Sequence, residues 1–146
     1  MSDEKPRLKI AATDEIAEQA LWDCLNEVPF LQGHKVEQRL IPEPGRPEII
    51  ARMKIGEKEK TILAEVRPNG QPRSVRDAIT SLSGYLQTYA DAYGVVLAPF
   101  ITPESARICR QEGVGYVDLA GNCLLNFDFI FISKQGRPKP TPKKSM

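Results

Sequence analysis

The stretch Thr61-Ile-Leu-Ala-Glu-Val-Arg67, closed by Pro68-Asn-Gly70, decides the fold. In an extended strand successive side chains point to opposite faces, so one face of this stretch is wholly apolar. The other face carries Glu65 and Arg67 at the end of the strand, where an α/β sheet most often opens its functional cleft. Glu65 and Arg67 therefore form either a functional site or a structural ion pair.

Composition places the chain among soluble single-domain proteins. It has 146 residues, of which 41% are hydrophobic and 27% charged, enough to bury a core in one domain. The formal net charge of +1 gives no global field that would attract nucleic acid or a membrane, so any basic surface must be local. No apolar run reaches the length of a membrane span, and residues 1–9 are charged without an apolar segment behind them. These features predict a cytoplasmic protein with no membrane partner.

The cysteines and the histidine disfavour several kinds of site. Cys24, Cys109 and Cys123 are odd in number and far apart without metal-type spacing, which predicts small buried hydrophobic residues in a reducing compartment. His34 is the sole histidine and nothing in the sequence pairs with it, which argues against a Ser-His or Cys-His catalytic arrangement. No glycine-rich loop of the phosphate-binding kind is present, which disfavours P-loop nucleotide hydrolases.

The first half of the chain predicts a helix, three strands and a proline-rich loop. Thr13 is a helix N-cap candidate, and the helix should continue to about Glu27. A weak strand over 35–41 and a loop over 42–47 follow. Residues 48–67 then predict a β-hairpin.

The hairpin register decides whether Glu48 joins the strand-end charges. A turn centred on Glu57 and Lys58 would place Glu48 opposite Arg67 and diagonal to Glu65, within reach on one face. A slip of one residue would move Glu48 to the other face of the sheet.

The second half alternates helices and strands. Ser74 starts a capping-box-like sequence for the longest helix, whose buried stripe runs to Tyr93 and which ends at Gly94. The apolar run 95–101 predicts a strand covered on both faces. Further elements are a helix with Thr102 as N-cap, ending at Gly113, a strand over 114–119, a turn over 120–122 and a return over 123–133 broken near Asp128.

This order predicts a three-layer α/β sandwich around a mixed β-sheet. The domain should span residues 10–134. Residues 135–146 are basic and proline-rich, which predicts a disordered tail.

The strand-end charges have the types that metal-dependent phosphodiester hydrolysis needs. Mg²⁺ binds one or two carboxylates together with substrate phosphate oxygens and water, and a nearby cation stabilises developing charge. Glu48, Glu65 and Arg67 supply these groups. With the αβββαβ order around them, they resemble the PD-(D/E)XK, restriction-endonuclease-like superfamily. Pro47-Glu48 is similar to its PD step and Glu65-Val66-Arg67 to its (D/E)-X-K step.

The resemblance covers roughly residues 10–133 and implies roles for particular residues. Glu48 and Glu65 would hold Mg²⁺ or Mn²⁺ together with the main-chain carbonyl of Val66, and Arg67 would contact the scissile phosphate of DNA. Two substitutions separate the sequence from the family pattern. A glutamate replaces the usual aspartate at Glu48 and reaches one methylene further. Arg67 replaces a lysine, and a guanidinium cannot share in deprotonating the attacking water.

Arg73 and Arg76 lie at the predicted start of the long helix just past the motif, where they could contact the DNA backbone or form a solvated face.

A second phrase, Gly115-Tyr-Val-Asp-Leu-Ala-Gly-Asn122, is similar to one in nuclease-fold domains of uncharacterised bacterial proteins and of type IV antitoxin-like regulators. Those proteins often carry a winged-helix DNA-binding domain, and none is visible in this sequence. Within the phrase, Asp118 is predicted to cap the turn rather than to bind metal.

Three functions therefore stay open. The first is a DNA-handling nuclease-fold domain that is Mg²⁺-dependent if it is active. The second is a catalytically silent, antitoxin-like or regulatory module that binds DNA, a protein partner or a second copy of itself. The third, favoured by the near-neutral charge, is a small-ligand α/β protein.

Overall fold

The architecture is one β-sheet with helices on both faces. The structure, a computed structural model, describes residues 4–27, 31–38, 47–128 and 130–136, with side chains described for 15–27, 47–128 and 130–136. The elements within these residues are α1 (Glu4–Leu25), β1 (Leu31–Gln38), β2 (Ile49–Ile55), β3 (Lys58–Val66), α2 (Pro72–Thr88), β4 (Tyr93–Ala98), α3 (Pro103–Glu112), β5 (Gly115–Asp118), β6 (Cys123–Phe127) and β7 (Ile130–Lys134).

Across the described residues the seven strands lie in the order β1-β2-β3-β4-β5-β6-β7, the same as their order in the sequence. β3, β4 and β5 are parallel to one another, and the helices α2 and α3 make the two crossovers. The other neighbouring strands are antiparallel. The sheet is thus mixed, as the sequence predicts.

Two apolar cores cover the two faces of the sheet. α1 packs on one face, where Leu21 and Leu25 meet alternate strand residues such as Ile62 and Ala64. α2 and α3 pack on the other face, where Leu82 meets Leu63. The prediction of a three-layer sandwich around a mixed sheet, with the element order αβββαβαβ, is confirmed.

The hairpin of β2 and β3 has a different register from the predicted one. Ile55 pairs with Lys58, so the turn has two residues, Gly56 and Glu57. Gly56 has a φ of 64° and Glu57 does not have positive φ, the pattern of a type II′ hairpin turn, which favours glycine at its first position. Since Ile49 pairs with Ala64, the register carried one step further places Glu48 opposite Glu65 instead of Arg67. The shift is two residues, so Glu48 stays on the predicted face.

Both long helices begin earlier than predicted. α1 begins at Glu4, so Thr13 lies inside it rather than at its N-cap. α2 begins at Pro72 with Gln71 as N-cap, and Gln71 makes no side-chain capping hydrogen bond. Proline is favoured at the first helical position because its missing N–H would have no partner there. The prediction of a Ser74 capping box is therefore wrong.

α2 also ends earlier, at Thr88, so the predicted stop at Gly94 is wrong. Tyr93 and Gly94 belong to β4 instead of the helix stripe.

Other predictions hold. β4 is buried along its whole length, as expected for a central strand. α3 has Thr102 as N-cap, with its hydroxyl accepting from the Ser105 N–H, and it ends at Gly113 in the left-handed conformation. β6 and β7 are separated at Asp128, which has a φ of 54°. The weak strand predicted over 35–41 is β1, which lies at Leu31–Gln38.

One glycine brings the loop after β3 against the loop after β4. Gly70 pairs with Ile101, and its carbonyl accepts a hydrogen bond of 2.7 Å from the Ser105 hydroxyl. A Cβ on Gly70 would lie 1.9 Å from the Phe100 carbonyl oxygen, so a larger residue requires the backbone to move. Gly70 thus fixes how β3 runs into α2.

Cys24 of α1 and Cys123 of β6 form a disulfide, while Cys109 is a buried free thiol. All three cysteines are buried, as predicted, but Cys24 and Cys123 are paired, which their spacing along the chain did not indicate.

Two predictions lie largely or wholly outside the described residues: the loop over 42–47, apart from Pro47, and the tail over 135–146, apart from its first two residues. Within the described part of the chain, no helix has the length and apolar character to cross a bilayer.

Candidate functional site

The carboxyl end of β3 brings the predicted site residues together. Glu65 is 3% exposed and lies on the face of the sheet that α2 covers. β3 pairs with β4 through Val66, and the Arg67 N–H then donates to the Leu97 carbonyl at 2.8 Å. The backbone that presents Glu65, Val66 and Arg67 is therefore held by the central strands of the sheet.

Glu48 and Glu65 are fixed by hydrogen bonds that cross between β3 and the residue before β2. The Glu48 N–H donates to Glu65 Oε2 at 3.1 Å, and the Val66 N–H donates to Glu48 Oε1 at 2.9 Å. Each carboxylate thus accepts from the backbone of the other strand. This exchange follows from the observed register, which makes the two residues direct neighbours.

Arg67 occupies the space between the two carboxylates. Its Nη1 atom lies 2.9 Å from Glu65 Oε1, 3.1 Å from the Val66 carbonyl oxygen and 3.6 Å from Glu48 Oε1. Its Nη2 atom donates to Asp77 Oδ2 of α2 at 3.1 Å. The guanidinium joins the sheet to the helix that packs on it.

The surroundings keep Arg67 charged. Burial by itself lowers the pKa of the guanidinium, but the hydrogen bond and charge of Glu65, with the charges of Asp77 and Glu48, outweigh burial and raise the pKa above its ordinary value. The side chain of Glu65 is 4% exposed and that of Arg67 16% exposed, so the pair is largely shielded from water.

The oxygen atoms of the cluster are of the kind that Mg²⁺ prefers, but the position between them is occupied. Carboxylate and carbonyl oxygens from Glu48, Glu65 and Val66 are the ligands that a hard cation takes. All three oxygens converge on Arg67 Nη1 instead. Among the residues with described side chains, no three His, Cys, Asp or Glu residues are placed to hold a metal ion. As arranged, the cluster does not fit a divalent metal.

Arg73 and Arg76 are exposed on the first turns of α2. Arg73 precedes Asp77 by four residues, so the two share one side of the helix. Since Asp77 contacts Arg67, Arg73 lies on the side of α2 that borders the cluster.

The sequence did not predict that Asp77, the fourth residue of the capping-box-like stretch that starts at Ser74, would accept a hydrogen bond from Arg67. The signal for it was the short link from Arg67 to α2, which confines the first turns of α2 to the end of β3.

Asp118 is a structural residue. Its carboxylate is 2% exposed and accepts from the N–H groups of Ile101, Ala120 and Asn122 and from the Asn122 side chain, at 2.8 to 3.0 Å. The prediction that it caps the turn is confirmed.

Three tyrosines in and after α2 pack against the core to different degrees. Tyr85 and Tyr89 of α2 are half-buried against the core, whereas Tyr93 is buried in β4 and accepts from the Asn126 N–H at 3.0 Å.

Comparison with known proteins gives weak similarities. No protein-family model matches the chain, and no curated protein matches it significantly. Solved structures similar to it include EndoMS in its apo form, with 18% identity and a TM-score of 0.43, and EndoMS in complex with dsDNA, with 16% identity and a TM-score of 0.47. Another is a repair endonuclease from Pyrococcus abyssi, with 15% identity and a TM-score of 0.47.

The similar region covers 70–71% of this chain and 44–46% of those chains, so this chain matches less than half of their length.

Proposed function

We propose that this chain is a DNA-handling domain that binds the sugar–phosphate backbone beside the end of β3 without cleaving it. The observation that carries the proposal is the position of Arg67 Nη1 within 3.6 Å of Glu48 Oε1, Glu65 Oε1 and the Val66 carbonyl. A guanidinium held this way is not free to bind a scissile phosphate.

Backbone contact is assigned to the exposed arginines of α2. Arg73 and Arg76 lie in the first turns of α2 and present guanidinium groups to solvent, and Arg73 is on the side of the helix that borders the cluster. Phosphate oxygens accept bidentate hydrogen bonds from guanidinium groups, and such contacts position DNA without reading its sequence. The local basic turn accounts for DNA binding by a chain whose net charge is only +1.

The second candidate is Mg²⁺-dependent phosphodiester hydrolysis, with Glu48 and Glu65 as ligands together with the Val66 carbonyl. The donor types favour it, because all three are hard oxygens at the end of a rigid strand. The position among these oxygens is occupied by Arg67 Nη1, which favours a domain that binds DNA without cleaving it. A regulatory role of the antitoxin-like kind requires binding without cleavage, which agrees with the silent domain.

DNA binding is tested by fluorescence anisotropy with labelled duplex and single-stranded DNA at several salt concentrations. Changing both Arg73 and Arg76 to alanine should weaken binding for all sequences. It should also reduce the slope of log K against log salt by about two, roughly one for each phosphate that the variant no longer neutralises. The matched control is Arg107→Ala, which removes an exposed arginine on α3 and should leave binding unchanged.

Cleavage is tested on supercoiled plasmid with Mg²⁺ or Mn²⁺. The silent domain should bind and leave the plasmid intact. Nicking by the natural protein that disappears in Glu65→Ala would establish the second candidate instead. Absence of both binding and nicking would refute the DNA proposal and favour a ligand of another class.

A further inference from the structure

We infer that Arg67 is a resident cation: its guanidinium stands in the position that a divalent metal would take in the fold, and it excludes the metal. The inference goes beyond the proposed function, because it concerns the cluster alone and holds whether or not the domain binds DNA.

The first step is convergence. A metal ligand set is a group of oxygens that point at one position from different elements. Glu48 Oε1 comes from the residue before β2, and Glu65 Oε1 and the Val66 carbonyl come from β3. The atom at their meeting point is Arg67 Nη1, at 3.6, 2.9 and 3.1 Å. The same oxygens that would bind a cation already surround one.

The second step is charge. Glu65 is almost fully buried, and a buried carboxylate needs an opposite charge or several hydrogen bonds. Arg67 supplies the charge from just past the end of β3, two residues along the chain, with Nη1 2.9 Å from Glu65 Oε1. Neutralisation of Glu65 therefore requires no ion from solution.

The third step is fixation. Arg67 Nη2 donates to Asp77 Oδ2 of α2 at 3.1 Å, so the guanidinium is hydrogen-bonded both to the sheet and to the helix. A metal would have to displace hydrogen bonds to Glu65, Val66 and Asp77 together. A group tethered to its binding position competes at a high effective concentration, which a dissolved ion must exceed.

The inference predicts that removal of the side chain opens a metal site. In Arg67→Ala the Glu48 and Glu65 carboxylates and the Val66 carbonyl would surround a vacated position, and Mn²⁺ is the probe that reports on it. Binding is measured by electron paramagnetic resonance of free Mn²⁺ and by isothermal titration calorimetry, without DNA. We expect one site in Arg67→Ala, at least about tenfold tighter than any site in the natural protein, a difference of about 1.4 kcal/mol.

Two controls assign the site. Adding Glu65→Gln to Arg67→Ala should abolish Mn²⁺ binding, because a neutral amide replaces one ligand. Arg107→Ala removes an exposed arginine of α3, away from the cluster, and it should bind Mn²⁺ no better than the natural protein.

Three results would overturn the inference. The first is a natural protein that binds Mn²⁺ as tightly as Arg67→Ala and loses binding in Glu65→Gln, since Arg67 would then move aside. The second is a folded Arg67→Ala that binds no Mn²⁺. If Arg67→Ala is unfolded alone, the third is failure of Mn²⁺ to restore its circular dichroism and cooperative melting. DNA anisotropy in EDTA is scored separately, so failure here is distinguishable from failure of the proposed function.

Discussion

Arg67→Ala should destabilise the fold by about 3 kcal/mol, because removing one partner of a buried ion pair leaves a buried charge and typically costs about 3 to 5 kcal/mol. The structure places this case at the lower end of that range. Glu65 keeps a hydrogen bond from the Glu48 N–H at 3.1 Å, and the side chain of Arg67 is 16% exposed, so water partly reaches the vacated space.

The assay is urea denaturation followed by circular dichroism in metal-free buffer with EDTA. The midpoint and the slope m are both fitted, so that a change in stability is separated from a change in compactness. Arg76→Ala is the matched control and should change the free energy of unfolding by no more than about 0.5 kcal/mol, as is usual for an exposed side chain.

The double variant with Arg67→Ala and Glu65→Gln identifies the cause. If the cost comes from an unpaired buried carboxylate, the neutral amide should restore about 1 to 2 kcal/mol relative to Arg67→Ala alone, a coupling of the size seen for residues in contact. The reasoning is refuted if Arg67→Ala costs less than about 1 kcal/mol, or if the double variant is no more stable than Arg67→Ala.

Three further predictions concern the scaffold. Gly70→Ala should lower the free energy of unfolding by more than about 2 kcal/mol, because the new Cβ would meet the Phe100 carbonyl. Gly84→Ala, at a position of α2 with open space around it, should raise the free energy of unfolding by up to about 1 kcal/mol. Thermal melts distinguish the two variants, and equal effects would contradict the close approach at Gly70. Asp118→Ala should cost about 3 kcal/mol in urea denaturation, because three backbone N–H groups lose their acceptor, while the exposed Asp91→Ala should be nearly neutral. Burial raises the pKa of the Cys109 thiol to about 12 from 9.0, so the unfolded chain releases this proton first as the pH rises. The stability that comes from keeping this thiol protonated is present below pH 9 and is lost between pH 9 and 12. Between pH 8.5 and 10.5 the free energy of unfolding of the natural protein should therefore fall by up to about 2 kcal/mol more than that of Cys109→Ala. Parallel pH profiles of the two proteins would contradict this prediction.

Local signals in the sequence were sufficient for several elements. The apolar run of β4 and the Thr102-Pro103 start of α3 act over a few residues, and both predictions are confirmed. The hairpin register was wrong although its signal was present, since Gly56 tolerates the positive φ that a two-residue turn needs. Alternation along β3 correctly placed Glu65 on the face opposite Ile62 and Ala64, and the structure shows that α2 covers this face.

The arrangement of the candidate site depends on packing and was not predictable. Sequence spacing placed Glu48, Glu65 and Arg67 on one face, as the structure has them. Asp77 accepts a hydrogen bond from Arg67, and the guanidinium lies among the three oxygens, because α2 packs on the sheet beside the end of β3. The disulfide also results from packing, because it joins a residue of α1 to a residue of β6 with a sequence separation of 99.

The strand order has a consequence for how the chain folds. Each described strand lies beside its neighbours in sequence, so the sheet can grow by adding one strand at a time, with short hairpins and two helical crossovers as the steps. The β2–β3, β5–β6 and β6–β7 pairings close small loops, whereas the parallel β3–β4 and β4–β5 pairings must each close a longer one through a helix. The docking of α1 against strands near the other end of the chain is the step of large loop closure. We therefore expect α1 to dock on the sheet last, and formation of the Cys24–Cys123 disulfide would mark this step.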